Sequence, residues 1–362
     1  MEDVAAGTGD LTGLEILPTI VGLAPAGPVP PEAQGRPQPL LWAEKNWSGF
    51  VNWSHSHGLK MAQPSTLEEV QEIVRHASKV RVLGRGHGFP AICDQSDADG
   101  VLMSLLPNMG AVLEIDPATR TVTVEGGCVY HELVKQLEGS GLALQNTQSL
   151  GHITVAGGVA TGSHGSSGVD PATERARLPS TASLVSGLQI VTADGSAVEY
   201  TRAGNPEIWG GVVTSLGCQG VVTRLTLDLV EDFDVHSYGY GRIPADHFLS
   251  HWREMLRNPD CTSFNAMVQW PCTEVSCGYQ HFIPAGSLAT APAVPDDFFG
   301  AGVGSDSRGN NVVRWHQSVL GMSPKGIPEE FQLEFFIPLE FAEDALRVTW
   351  CVCLSVLLCE IN

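Results

Sequence analysis

Gly151-His-Ile-Thr-Val-Ala-Gly157-Gly158-Val-Ala-Thr-Gly162-Ser-His-Gly165-Ser-Ser-Gly168 packs six glycines and several hydroxyls into eighteen residues. The residues between them, Val155, Ala156, Val159 and Ala160, are small and apolar, so the stretch does not read as a flexible linker. Glycines let main chain come close to a ligand, and Ser149, Thr154, Thr161 and Ser163 add hydroxyl donors. A large flat ligand lying against main chain suits this pattern better than a generic buried turn.

A second stretch, Arg81-Val-Leu-Gly84-Arg-Gly86-His87-Gly88-Phe89, leaves a β-branched run and turns sharply. Glycines at 84, 86 and 88 permit φ > 0 and would aim backbone N–H groups at an anion such as a pyrophosphate. It is not the Rossmann fingerprint, because Phe89 stands where the third glycine belongs and no helical period follows. Alone, this loop reads as a tight turn at least as readily as a phosphate nest. Two such loops in one domain point to a bound dinucleotide.

Composition narrows the partners. Forty acidic and twenty basic side chains give a formal net charge of −20, which repels nucleic acid and anionic membrane. Backbone N–H groups, rather than Lys or Arg, are therefore expected to hold an anionic ligand. The nine cysteines show no CxxC pair and no zinc-like spacing. Cys128 and Cys218 read as small core residues. The first basic residue is Arg36, and no targeting signal is recognised. The apolar run Val348 to Cys359 is too short for a membrane span of about 20 residues. These features predict a cytoplasmic protein without stable membrane insertion.

Along the chain, residues 1–42 form a Gly/Pro/Ala-rich leader expected to be disordered. Thr66 with Glu69 three residues on is a capping box, and Leu67, Val70, Ile73, Val74 and Ala77 form one helical stripe. Ala111–Ile115 and Thr121–Glu125 predict a hairpin, and Tyr130–Leu137 a helix. Leu188–Ala193 and Ala197–Thr201 predict a second hairpin turning at Asp194-Gly195. Gly220–Leu229 alternates as a strand that runs into an acidic break at Glu231-Asp232. Beyond Phe233 the reading is a helix over His247–Leu256, short strands near Phe264–Gln269 and Tyr279–Ile283, and a loop over Ala285–Gly304.

The resemblance rests on Asn46-Trp-Ser-Gly49, Val82-Leu-Gly-Arg-Gly-His87, Gln148-Ser149-Leu-Gly-His152-Ile-Thr-Val-Ala-Gly157, Ala160-Thr-Gly-Ser-His-Gly165 and Thr214-Ser-Leu-Gly217…Gly220-Val-Val222. These motifs resemble the alditol and aldonolactone (gulonolactone, arabinonolactone) oxidases of the vanillyl-alcohol-oxidase, or PCMH-type, FAD flavoproteins. The resemblance implies an α+β fold: a two-lobed PCMH-type FAD-binding domain over 43–232, then an incomplete, truncated α+β substrate or cap domain over 233–362. It also implies the site. His87 falls on the histidine bonded covalently to the flavin. Leu83, Gly84, Arg85, Gly86, His87 and Gly88 would cradle the pyrophosphate. Ser149, Thr154, Gly157, Gly158, Ala160 and Thr161 would line the isoalloxazine and its chain, and Val222 the adenine side. Gly88 stands where the family commonly has serine, which removes one donor.

By that resemblance the activity is oxidation of CH–OH groups in a small polyol or sugar lactone, with molecular oxygen as acceptor. The alternatives are a flavin dehydrogenase with another acceptor and a flavin-binding remnant without turnover. The tail Cys359-Glu360-Ile361-Asn362 echoes the family's Cys-Glu-Ile-Arg, which makes Glu360 the catalytic candidate, with Asn362 in place of arginine. The family's later lysine motif has no counterpart. His55-Ser-His57 lacks a third ligand and reads as surface loop, so no metal is expected. His152 and His164 read as structural hydrogen-bonding groups, Trp209 and Trp270 as packing anchors, and Glu334 as a surface charge, with a substrate role as the alternative.

Overall fold

Thr66 opens the first helix as the capping pattern requires. In a computed structural model, which describes residues 46–47, 60–95, 100–148, 150–268, 273–287, 297–302, 311–320 and 334–348, its hydroxyl accepts from the Glu69 N–H at 3.2 Å. The Glu69 carboxylate reaches back to the Ser65 N–H at 2.7 Å, one residue before the cap itself. The helix Leu67–His76 then buries Val70 and Val74. Both pack with Met103, Leu105, Met109, Val191 and Val221 in one cluster. That cluster joins a small lobe to a larger one, and each buried valine contributes about 1.5–3 kcal/mol.

The small lobe is a parallel sheet in the order Lys60–Ala62, Val101–Met103, Val80–Val82. The large lobe is a five-stranded antiparallel sheet in the order Ala197–Thr201, Val185–Val191, Val221–Asp228, Thr121–Glu125, Val112–Asp116. Its two hairpins are the predicted ones, and Gly195 takes φ 79° in the turn of the second. Strand Val221–Asp228 buries alternate residues, Val221, Thr223, Leu225 and Leu227. Leu225 and Leu227 share the main core with helix Tyr130–Leu137 and with Val155 and Val159. The mixed architecture is α+β.

One reading needs correction. The glycine-rich stretch is not all loop, since Val155–Ala160 is a short helix capped by Thr154. Its small residues pack Val155 and Val159 into the core despite the low helix propensity of glycine. At Glu231-Asp232 the chain leaves the large-lobe sheet behind, and Asp232 lies outside any strand, as the acidic break implied. The chain passes from strand Val230–Glu231 into the twelve-residue strand Phe233–Pro244. Asp234 lies fully buried in that strand. Arg314 neutralises it from the neighbouring strand at 2.8 Å while also pairing with Asp232. The Gly286 and Ser287 N–H groups donate to its other oxygen at 2.9 and 3.0 Å.

That strand belongs to a four-stranded sheet in the order Ser263–Val268, Glu274–Pro284, Phe233–Pro244, Asn311–Arg314. Helix Ala245–Leu256 covers it with Phe248, Trp252 and Met255. The leader, His55-Ser-His57, Ser149, Trp270, most of the Ala285–Gly304 loop and the tail with Glu360 and Asn362 lie outside the described residues. Among the described residues, no helix is long and apolar enough to cross a membrane. No group of three or more His, Cys, Asp or Glu among them could hold a metal ion.

Candidate functional site

Backbone pairing brings the two glycine-rich stretches together. Leu83 N–H donates to the Met103 carbonyl at 2.8 Å, which fixes the exit of strand Val80–Val82. The following turn places Gly86 at φ 68°, a conformation open to glycine at little cost. Gly84 and Gly88 do not take positive φ, contrary to expectation. Gly84 is required for a different reason: an added Cβ would lie 2.5 Å from Thr154 Oγ1. Thr154 is itself fixed, because its hydroxyl accepts from the Gly157 N–H at 3.3 Å. Its flanks, Ile153 and Val155, bond the backbone of Tyr130 and Cys128 at 3.1 and 2.8 Å.

Between the two lobes runs a cleft of about 870 Å³. Leu83, Gly84, Arg85, Gly86, His87, Gly88, Thr154, Gly157, Gly158, Ala160, Thr161 and Val222 all line it, so every described residue of the expected site meets at one surface. Ser149 and Glu360 lie outside the described residues. The lining also holds Lys79, Arg81, Gln148 and Glu334, which sequence reasoning had not placed there as site residues. The expectation of a purely backbone anion cradle is therefore corrected, because three cationic side chains line the cleft of an otherwise acidic protein. The alternation of strand Val80–Val82 with the glycine turn carried that signal, in Lys79, Arg81 and Arg85.

The site is short of hydrogen-bond partners. Arg81 Nε, Arg85 Nε and Gln148 Oε1 are buried without one among the described residues, and burial lowers the Arg85 pKa. Polar atoms left so cost about 1–3 kcal/mol each, and a polar, anionic ligand would supply what they lack. The cleft volume falls in the range of about 300–1,000 Å³ usual for small-molecule sites. A cationic, glycine-lined cleft of this size fits a large flat dinucleotide.

His87 stands on the wall of that cleft. Its ring stacks on Trp47 at 4.4 Å between centroids with an interplanar angle of 24°. Trp47 is anchored by its own N–H, which donates to the Gly86 carbonyl at 2.7 Å, and Asn46 Nδ2 donates to the Gly88 carbonyl at 3.4 Å. His87 Nε2 hydrogen-bonds His152 Nε2. Burial first, and then the neighbouring His152, lowers the His87 pKa to about 3. Burial, His131 and Arg85 lower that of His152 to about 4. Both imidazoles are therefore neutral near pH 7, so one Nε2 donates and the other accepts. His152, read from sequence as structural, is the hydrogen-bonding partner of His87. At another part of the lining, His164 Nε2 meets Glu334 Oε2 at 3.3 Å.

Residues 59–201 match the family described as FAD binding domain. Over 203 residues the chain is 39% identical to an alditol oxidase from a Streptomyces species, a match covering 56% of this chain and 45% of that protein. Over 218 residues it is 31% identical to L-gulonolactone oxidase from Bos taurus, covering 58% and 45%. The chain thus spans about half the length of the curated relatives it matches. A mutant cholesterol oxidase from Brevibacterium sterolicum superposes with a TM-score of 0.58 at 17% identity, covering 70% of this chain and 49% of that one. This likeness speaks for the fold. Residues 59–201 match the FAD binding domain family, and over that region the chain is similar to alditol and gulonolactone oxidases.

Proposed function

We propose that this chain is an FAD-dependent oxidoreductase acting on a CH–OH group of a sugar alcohol or an aldono-1,4-lactone, with the cofactor tethered through His87. The observation that carries the reading is the meeting of Gly84 with Thr154, which joins two glycine-rich walls around one cationic cleft. Residues 43–232 are assigned to cofactor binding and 233–362 to the substrate side.

When bound, FAD supplies the hydride acceptor. The chain's own residues supply the setting. Leu83 to Gly88, with Arg85 among them, present donors to the phosphates; Thr154 to Thr161 and Val222 hold the flat and adenosine portions. His87 is kept neutral by its burial, which leaves a lone pair for a bond to carbon. Because His152 engages Nε2, Nδ1 is the nitrogen assigned to the tether. Glu360 remains the sequence candidate for a catalytic group.

The test is an absorption spectrum of the purified chain before and after acid precipitation, followed by addition of xylitol, sorbitol or an aldonolactone. Yellow colour that stays with the precipitate, and flavin bleaching by substrate, are expected. Peroxide formation then makes it an oxidase, and slow reaction with oxygen makes it a dehydrogenase. A colourless protein indifferent to added FAD overturns the reading.

A further inference from the structure

Of the described residues lining the cleft, Glu334 is the only one beyond Val222, and it is the only acid. Its Oε2 lies 3.3 Å from His164 Nε2, and Phe336 meets the same imidazole edge-on at 5.3 Å. His164 Nδ1 lies 3.1 Å from the Gly165 carbonyl. The ring is thus held between a backbone carbonyl and a carboxylate, both of them acceptors. With side chains 35% and 52% exposed, such a pair adds little to stability. Its effect is to fix where the carboxylate stands.

We propose that Glu334, positioned by His164, is a substrate hydroxyl-binding group of this cleft. A carboxylate is acceptor-only with about four lone-pair sites, so it can take several donors at once. Hydroxyls on neighbouring carbons of a polyol or lactone are donors of the matching kind. The same negative charge disfavours a substrate that carries its own carboxylate, so the neutral compound is selected over the corresponding acid. His164 acts through Glu334 and is a positioning residue. This inference rests on the reading that the ligand is a polyol or a lactone.

The experiment uses the full chain with bound FAD. Substrate reduction of the flavin and steady-state turnover are measured with xylitol, an aldono-1,4-lactone and xylonate. Glu334→Gln is expected to raise KM for the neutral substrates about tenfold, the scale of one lost charged hydrogen bond. The turnover number should change less than about twofold, and binding of xylonate should improve. Glu334→Asp restores part of the affinity, and His164→Gln raises KM in the same sense. Flavin content reports folding of each variant. An active wild type with Glu334→Gln unchanged in KM, or a Glu334→Gln protein that loses its flavin, overturns this inference alone. A flavin-loaded wild type that no polyol or lactone reduces overturns the oxidoreductase reading and this inference together.

Discussion

Gly84 and Thr154 stand so close that a β-carbon on the glycine would lie 2.5 Å from the threonine Oγ1. One residue opens the turn after a parallel strand and the other caps a helix seventy positions later in the chain. Their contact makes a single wall from two distant pieces of sequence.

Gly84→Ala tests that wall. Thr154 cannot swing away without releasing the Gly157 N–H it caps, so the turn must move instead. Overpacking of this kind costs about 1–3 kcal/mol. Titrated with FAD in a His87→Ala background, which lacks the tether, the variant is expected to show roughly tenfold weaker binding or worse; unaltered affinity would mean the wall is softer than it looks.

Arg85→Ala probes the cationic lining. Its buried Nε has no hydrogen-bond partner among the described residues, and a hydrogen bond to a charged group is worth about 1.5–3 kcal/mol. In the same untethered His87→Ala background, FAD affinity should fall by roughly one to two orders of magnitude by calorimetry. Arg85→Lys should recover only part, because an ammonium lacks the planar fork.

The His87–His152 pair predicts a pH dependence. Burial holds their folded pKa values at about 3 and about 4, against 6.5 for an unperturbed histidine. Between those values the unfolded chain binds more protons than the folded one, so stability rises with pH. The contribution is fully present above 6.5 and is lost progressively as pH falls toward 3. Thermal midpoints of the cofactor-free protein should drop across that window, and a His87→Asn, His152→Asn double variant should show a shallower slope.

Arg314→Ala removes the countercharge of the fully buried Asp234. Two backbone N–H groups remain on that carboxylate, but an unpaired buried charge still costs about 3–5 kcal/mol. Chemical denaturation should show the loss, and Asp234→Asn in the same background should return much of it.

The sequence made the first domain legible because its signals are local. The Thr66–Glu69 cap, the alternation from Val221 to Leu227 and the Asp194-Gly195 turn each declare themselves within a few residues. Strand Phe233–Pro244 was missed because Asp234, His236 and four further polar or glycine positions, Ser237, Gly239, Gly241 and Arg242, break its apolar period, and the compensation arrives from Arg314, eighty residues later. The helix Val155–Ala160 was hidden by glycines that ordinarily argue against one. At the site, glycine spacing named residues that line one cleft. It could not pair His87 with His152 or His164 with Glu334, since those meetings depend on how separate elements pack.

The three cations of the cleft sit inside a molecule whose formal charge is −20. An approaching dianion meets a repulsive field first and an attractive one only at close range. Ions in solution dim the outer field over a Debye length of roughly 8–10 Å but reach the enclosed lining less. Moderate salt should therefore speed cofactor capture by the empty protein in stopped-flow mixing, the reverse of the slowing usual for an anion drawn to a basic surface.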